Sequence, residues 1–317
     1  MSSIFKLRFT ADVKTLIYMF VTTALFAGQW LVFGFNPVVY IIYLFMSVAV
    51  AVIVHNHNHL PIWKNEKLNI ITDSWLTVFY GFPVFAWIPT HNKNHHRLNN
   101  REGDYTITYR FSEKNNFVTL LTYPTISGYF QQKAIKEYLK EKFNIDRKRF
   151  YECVWQYAIL VIWTLAFLLI DWRKALLFVV IPQQVALFSV LIFNYVQHVH
   201  ANEESKYNHS RNFTGALNQM LFNNGLHTVH HDKAGLHWSK VPEEHAKMQH
   251  LIDDSLKEKS FWGYIFRAYV LGLFSKKYKT DSMRLQRIEN ERLQSQTVNS
   301  VSYTHLRAHE TKANLVC

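Results

Sequence analysis

The chain has 317 residues, of which 49% are hydrophobic, and a formal net charge of +12; that length suits one large domain or two small ones. Mean hydropathy is only -0.09, but the apolar residues are gathered into a few long runs, so the average conceals a membrane bundle joined to a polar half. The basic balance is read as an anionic membrane surface and an acidic partner rather than nucleic acid, and the two cysteines, Cys153 and Cys317, are too few for a disulfide framework.

In chain order, residues 15–33 form a first apolar run and 37–54 a second. Each approaches the ~20 residues a helix needs to cross the hydrocarbon core, and only residues 34–36 separate them, so they read as a transmembrane hairpin. The first run is too long for a cleavable signal peptide and lacks a small-residue cleavage pattern. Residues 74–90 (SWLTVFYGFPVFAWIPT) are apolar, but Gly81, Pro83 and Pro89 interrupt them and Trp75 and Trp87 lie near the ends, which predicts an interfacial or re-entrant segment. A polar, basic stretch follows, with 133–149 expected as helix. A second hairpin comprises 153–170 and 175–193, joined by 171–174, and Pro182 is expected to kink its last helix. Residues 261–274 are too short to span and suit an interfacial helix, with Lys276, Lys277 and Lys279 placed to meet lipid phosphates. The expected organisation is one membrane domain over 1–300, its cap made of 55–152 and 194–300. Residues 301–317 resemble a translated sequencing-library adapter; they are set apart, with His305 and His309, as a non-native or disordered tail.

The sequence carries 17 histidines, and most cluster just beyond an apolar run or in the polar half. His55-Asn-His57-Asn-His59 follows the second run; if that helix continues, His55 and His59 share a face. In His91-Asn-Lys-Asn-His95-His96, His91 and His95 share a face and His96 flanks it. In His227-Thr-Val-His230-His231, all three imidazoles can converge. Asn194 and His198 are again four apart. Neutral imidazole suits iron, zinc, copper and nickel, and nine imidazoles exceed the ~6 donors of one ion and fit two. Taken singly, an exposed histidine is usually an ordinary surface residue, a reading that suits His57, His209 and His250. The ordered set HxxxH, HxxxHH, HxxHH is not explained that way.

Topology agrees. The second and fourth spanning helices end on the side where the chain begins, so His55–His59 and His198 meet on one face of the membrane. His91–His96 joins them only if 74–90 does not cross. The basic residues Arg97, Arg101, Arg110 and 133–149 then face the cytoplasm, as the positive-inside rule requires.

These boxes and their order resemble the integral-membrane fatty acid desaturase and hydroxylase family, over about His55 to His245. PTHNKNHHRLNNREGD, NYVQHVHAN and NNGLHTVHHDKAGLHWSKVPEEH are similar to bacterial members of the desaturase branch. The resemblance implies an all-α, mushroom-shaped membrane bundle of four transmembrane helices with a cytosolic cap holding two irons. It carries over His55, His59, His91, His95, His96, His198, His227, His230 and His231 as ligands, and Asn194 as a residue that binds through water. The first box departs from the family pattern, having Asn56 where many members have Asp. His57 and His200 are additional, and either could take a neighbour's place. His237 and His245 are expected to pack the cap, and Asp104, Asp232, Glu243 and Glu244 are candidates for orienting ligand imidazoles.

The function implied is O2-dependent desaturation of a fatty acyl chain carried by CoA, acyl carrier protein or lipid, at a bacterial inner membrane with the site in the cytosol. No haem, ferredoxin-like or flavin motif is present in the sequence, so an external ferredoxin or cytochrome b5-type donor is implied. A hydroxylase, ketolase or monooxygenase would use the same histidines, acting on acyl chains, alkanes or carotenoids. A metal transporter or haem carrier would instead place histidines or acids within the spanning helices, where this chain has none.

Overall fold

A computed structural model describes residues 5–297; the adapter-like stretch 301–317 lies outside them. Four helices are long and apolar enough to cross a membrane: Thr10–Phe33, Pro37–His59, Arg147–Ile170 and Trp172–His198. The first consists of a 3-10 turn, α1 (Val13–Gly28) and a π turn, Gln29–Phe33. Gly34 ends it at φ 63, a left-handed conformation that costs glycine little. Asn36 then caps α2 (Pro37–His59) by accepting from the backbone N–H groups of Val38 and Val39, and Pro37 holds the first helical position. The apolar run ends at Val54, but the helix continues five residues further and so carries the first histidine box.

α3 (Glu66–Tyr80) is capped by Asn65 and ends at Gly81. Its second half is buried in the bundle: Phe79 lies 5.9 Å from Phe26 and 5.7 Å from Trp163, and the Trp75 indole donates to Thr23 Oγ1 at 3.1 Å. Phe26 and Trp163 both belong to spanning helices, so α3 dips into the membrane layer. Gly81 (φ 84) turns the chain back, and a 3-10 turn (Val84–Ala86), a π-helix (Ile88–His95) and α4 (His96–Leu98) return it to the cap. Of the two placements expected for 74–90, this packing against the spanning helices fits the re-entrant one.

α5 (Phe117–Ile145) opens with a capping box between Asn116 and Thr119. The helix expected over 133–149 breaks at Asp146, whose side chain caps α6 (Arg147–Ile170). Asp171 caps α7 (Trp172–Ala175), which passes through a π turn (Leu176–Val180) into α8 (Ile181–His198). Pro182 has no N–H, which frees the carbonyl of Phe178. The Tyr43 hydroxyl donates to it at 3.0 Å, and Tyr40 donates to Leu177 O at 2.8 Å, so neither carbonyl is stranded in the apolar layer.

From 212 to 274 the cap is short pieces: β1 (Asn212–Phe213), α9 (Ala216–Met220), α10 (His227–Asp232), α11 (Val241–Met248), β2 (Lys257–Glu258), α12 (Phe261–Ile265) and, after a π turn, α13 (Gly272–Phe274), while residues 283–297 are helical. The two strands pair in parallel, Asn212 with Lys257 and Phe213 with Glu258. The segment before α1 is woven into the cap. Arg8 N–H donates to Ile62 O and Lys64 N–H to Lys6 O, while Asp12 lies 3.2 Å from His237. The start of α1 and the end of α2 therefore lie on the cap side. The core gathers α2, α3 and α8 around Ile53, Leu76, Phe79, Phe178 and Phe222.

Candidate metal centre

Nine imidazoles converge where α2 and α8 leave the apolar layer, in two groups that could each hold a metal ion. His55, His59, His91, His96 and His230 form one; His95, His198, His227 and His231 form the other. All nine were singled out from the sequence. His55 and His59 lie one turn apart on α2, as their spacing predicts. The second box behaves differently from its expected α-helical reading. Its segment is a π-helix, so His91 and His96, five apart, come together on the first group, while His95 turns to the second. The third box divides as well: His230 joins the first group and His227 and His231, four apart, the second. Each group thus draws on widely separated parts of the chain.

In the first group the Nε2 atoms of His55, His91, His96 and His230 form a closed ring with successive separations of 3.1, 3.1, 2.9 and 2.9 Å. Adjacent donors of an octahedral or square arrangement with bonds of ~2.1 Å lie ~3.0 Å apart, against ~3.4 Å for a tetrahedron. The ring fits the former, and His59 Nε2, buried without a hydrogen-bond partner, is available as a fifth donor. In the second group His198 Nε2 and His227 Nε2 are 3.0 Å apart, and His95 Nε2 and both nitrogens of His231 are buried without partners. Left alone, such nitrogens are costly; as metal donors His95 Nε2 and one nitrogen of His231 are accounted for. The two donor sets therefore fit two metal ions.

The surroundings set the tautomers. His198 Nδ1 faces the His209 carbonyl at 3.1 Å. A carbonyl only accepts, so Nδ1 carries the proton and Nε2 keeps its lone pair. His95 Nδ1 lies 2.8 Å from Asp104 Oδ2 and 2.9 Å from Thr106 Oγ1, which leaves Nε2 as donor. The Asp104 carboxylate is itself held by the N–H groups of Asn100 and Thr106 and by the Thr106 hydroxyl. Burial would raise its pKa, but the His95 imidazole and these hydrogen bonds outweigh it and hold the carboxyl well below its usual range. Burial first, then neighbouring imidazoles, push His91, His96, His227, His230 and His231 below the ordinary histidine value, so the rings are neutral at neutral pH.

Asn194 donates to the Tyr123 hydroxyl at 2.6 Å, and Tyr123 to Thr106 O at 2.7 Å, which links α8 to α5 and to the Asp104 loop. His57 and His200 stand in neither group. His57 Nδ1 accepts from Ile62 N–H and its Nε2 lies 3.3 Å from Asp73; His200 engages Glu113 O and Thr280 Oγ1, both at 2.8 Å. His237 stacks on Phe9 at 4.1 Å, and His245 is buried in the cap. Of the four carboxylates considered, Asp104 alone meets a ligand-group imidazole; Asp232 and Glu243 are exposed and Glu244 pairs with Lys233 and Lys247. His57 and His209, both expected at the surface, are buried, and the His209 ring lies 5.5 Å from that of His231. No local spacing marked it.

The family model described as Fatty acid desaturase matches residues 28–264. The chain belongs to the fatty acid desaturase family. No curated protein and no solved structure matches it. Membership supports a desaturase- or hydroxylase-type fatty acid enzyme in a membrane setting, and a metal-dependent one. A cavity of about 250 Å³ suits an acyl chain in a member of this family: it reaches His55, His91 and His227, Asn194 lies in its wall, and Tyr80 and Trp87 supply aromatic surface.

Proposed function

We propose that the protein is an O2-dependent fatty acyl desaturase with a histidine-held di-iron centre. The observation that carries this reading is the pairing of a five-imidazole and a four-imidazole group beside one apolar cavity that touches both. His55, His59, His91, His96 and His230 would hold one iron. His95, His198, His227 and His231 would hold the other, with Asn194 contributing through water. When bound and reduced, the irons supply what no side chain can, removal of two hydrogens from unactivated methylenes at the expense of O2. O2, the two hydrogens, two electrons and two protons leave as two waters.

The chain's own part is placement. Asp104 and the His209 carbonyl fix which nitrogen of His95 and of His198 faces inward, and burial keeps His91, His96, His227, His230 and His231 neutral, so that they donate lone pairs rather than protons. The cavity aligns an acyl chain against the side where both groups are reached and keeps bulk water from it. The two electrons come from an external ferredoxin or cytochrome b5-type donor drawn to the basic cap. That cap faces the cytoplasm of a bacterial inner membrane, in keeping with the Lys and Arg residues of 133–149 on its side.

Expression in a host of known lipid composition, followed by fatty acid methyl ester analysis, tests this. A new double bond is expected, together with about two irons per chain on elemental analysis. A hydroxylated product would move the enzyme to the hydroxylase branch. Active preparations holding only one metal, or zinc alone, would overturn the di-iron assignment.

A further inference from the structure

The cavity that touches both histidine groups opens on the flank of the bundle. Of the residues that line it, three are exposed: Gln132 on α5, and Gln184 and Phe188 on α8. Gln184 and Phe188 are four apart and share one helix face, and Ile181, one turn before Gln184, is exposed as well. All three α8 residues belong to the apolar segment Trp172–His198. The mouth therefore breaks the stripe that α8 turns toward hydrocarbon. From Asn194 to Gln184 the cavity follows α8 for ten residues, ~15 Å of helix, so it runs from the metal centre into the membrane layer.

Its chemistry is as informative as its position. Among the described residues the lining has no Lys, Arg, Asp or Glu. Lys133, adjacent to Gln132, faces Glu137 at 4.0 Å. A CoA thioester brings several negative charges that call for cationic partners at its entrance, and an acidic carrier protein calls for a basic collar. The side chains at this mouth are two amides and a phenyl ring. Amide N–H groups match the neutral ester carbonyl that joins an acyl chain to glycerol, and the phenyl ring matches the chain.

We infer that the substrate is the acyl chain of a bilayer-resident lipid, which enters sideways between α5 and α8 past Gln132, Gln184 and Phe188. This rests on the acyl-oxidising reading of the site and specifies its substrate class. A chain that passes from hydrocarbon into an apolar cavity crosses no water, so it gains little from the hydrophobic effect. Its supply comes from the lipid already packed against α8.

The test is photo-cross-linking of the full-length holoprotein in phosphatidylcholine nanodiscs. Three probes carry a mid-chain diazirine: a phosphatidylcholine, a free fatty acid and an acyl-CoA. The phosphatidylcholine probe is expected to label Ile135, Leu187 and Leu191 inside the cavity, and F188W, which plugs the mouth, to lose that labelling while metal content and labelling of the outward-facing Leu165 stay unchanged. F188A, which widens the mouth, should increase it, and guards against a plugged variant that simply fails to fold. Cavity labelling by the free fatty acid also supports sideways entry, with the free acid as source. Cavity labelling by acyl-CoA alone, or labelling confined to outward-facing residues, overturns the proposal. Cross-linking needs no turnover, so its outcome is separate from that of the product analysis.

Discussion

His198 and His200 are two residues apart and have opposite surroundings. His198 is fully buried with its Nε2 against His227, whereas both nitrogens of His200 are engaged by Glu113 and Thr280 and its φ is 64. His198→Ala should therefore lower metal content and abolish turnover in a protein that still inserts and purifies as one species. His200→Ala should keep its metal and measurable activity while losing about 2 kcal/mol of stability, ~1 for each hydrogen bond. Elemental analysis alongside thermal unfolding separates the two, and the reverse pattern would remove His198 from the ligand set. A pH dependence follows from the depressed histidines outside the spanning helices. A folded imidazole with a lowered pKa binds fewer protons than its unfolded counterpart, whose value is 6.5. Stability and metal retention are thus fully present above pH 6.5 and fall as pH drops below it; metal release followed from pH 8 to pH 5 should show this direction. At this scale the ligand candidates were legible because their spacing is local. The exclusion of His57 and His200 and the support from Asp104 were not, since the partners that decide them are set by how the chain folds back.

Among the elements, the segment from Gly81 to His96 does most to shape the centre. A Cβ at Gly81 would lie 2.5 Å from that of Gln183, and its φ of 84 disfavours any side chain. Gly81→Ala should destabilise the protein by at least ~1–3 kcal/mol and weaken the Gln183 hydrogen bond to Val78 O, now 2.8 Å. A fall in detergent melting temperature together with reduced metal content is expected, because the same turn aims the second box. The glycine and prolines of this stretch were enough to predict that it does not cross. That the returning piece is a π-helix was not legible, since the α-helical spacing of His91 and His95 describes the sequence equally well. One extra residue per turn is what separates them onto different groups. The same limit applies to α2 and α8: the apolar runs mark where hydrocarbon ends, while the helices continue until the histidines are placed.

At the scale of the molecule, both hairpins deliver their C-terminal ends to the cap, and the turns at Asn36 and Asp171 lie on the far side. In a Cys317→Ser background, Asn36→Cys should react with an impermeant maleimide on intact cells and Glu243→Cys only after lysis; Cys153 is buried and should stay silent. Labelling of both positions from one side would overturn the topology. The four-helix layout was legible from hydropathy alone, but the anchoring of the N-terminal segment by Asp12 and His237 was not, because those residues are 225 apart in sequence. The way the two histidine groups are filled bears on biogenesis. His55 meets His230 across 175 residues, and each group needs donors from both the second and the third histidine box. A nascent chain emerging from the ribosome can insert its first hairpin early, yet neither group is complete until His227–His231 has been synthesised and folded back. Metal loading is then a late step of maturation, and in the first group it fastens the first hairpin to a segment made long after it.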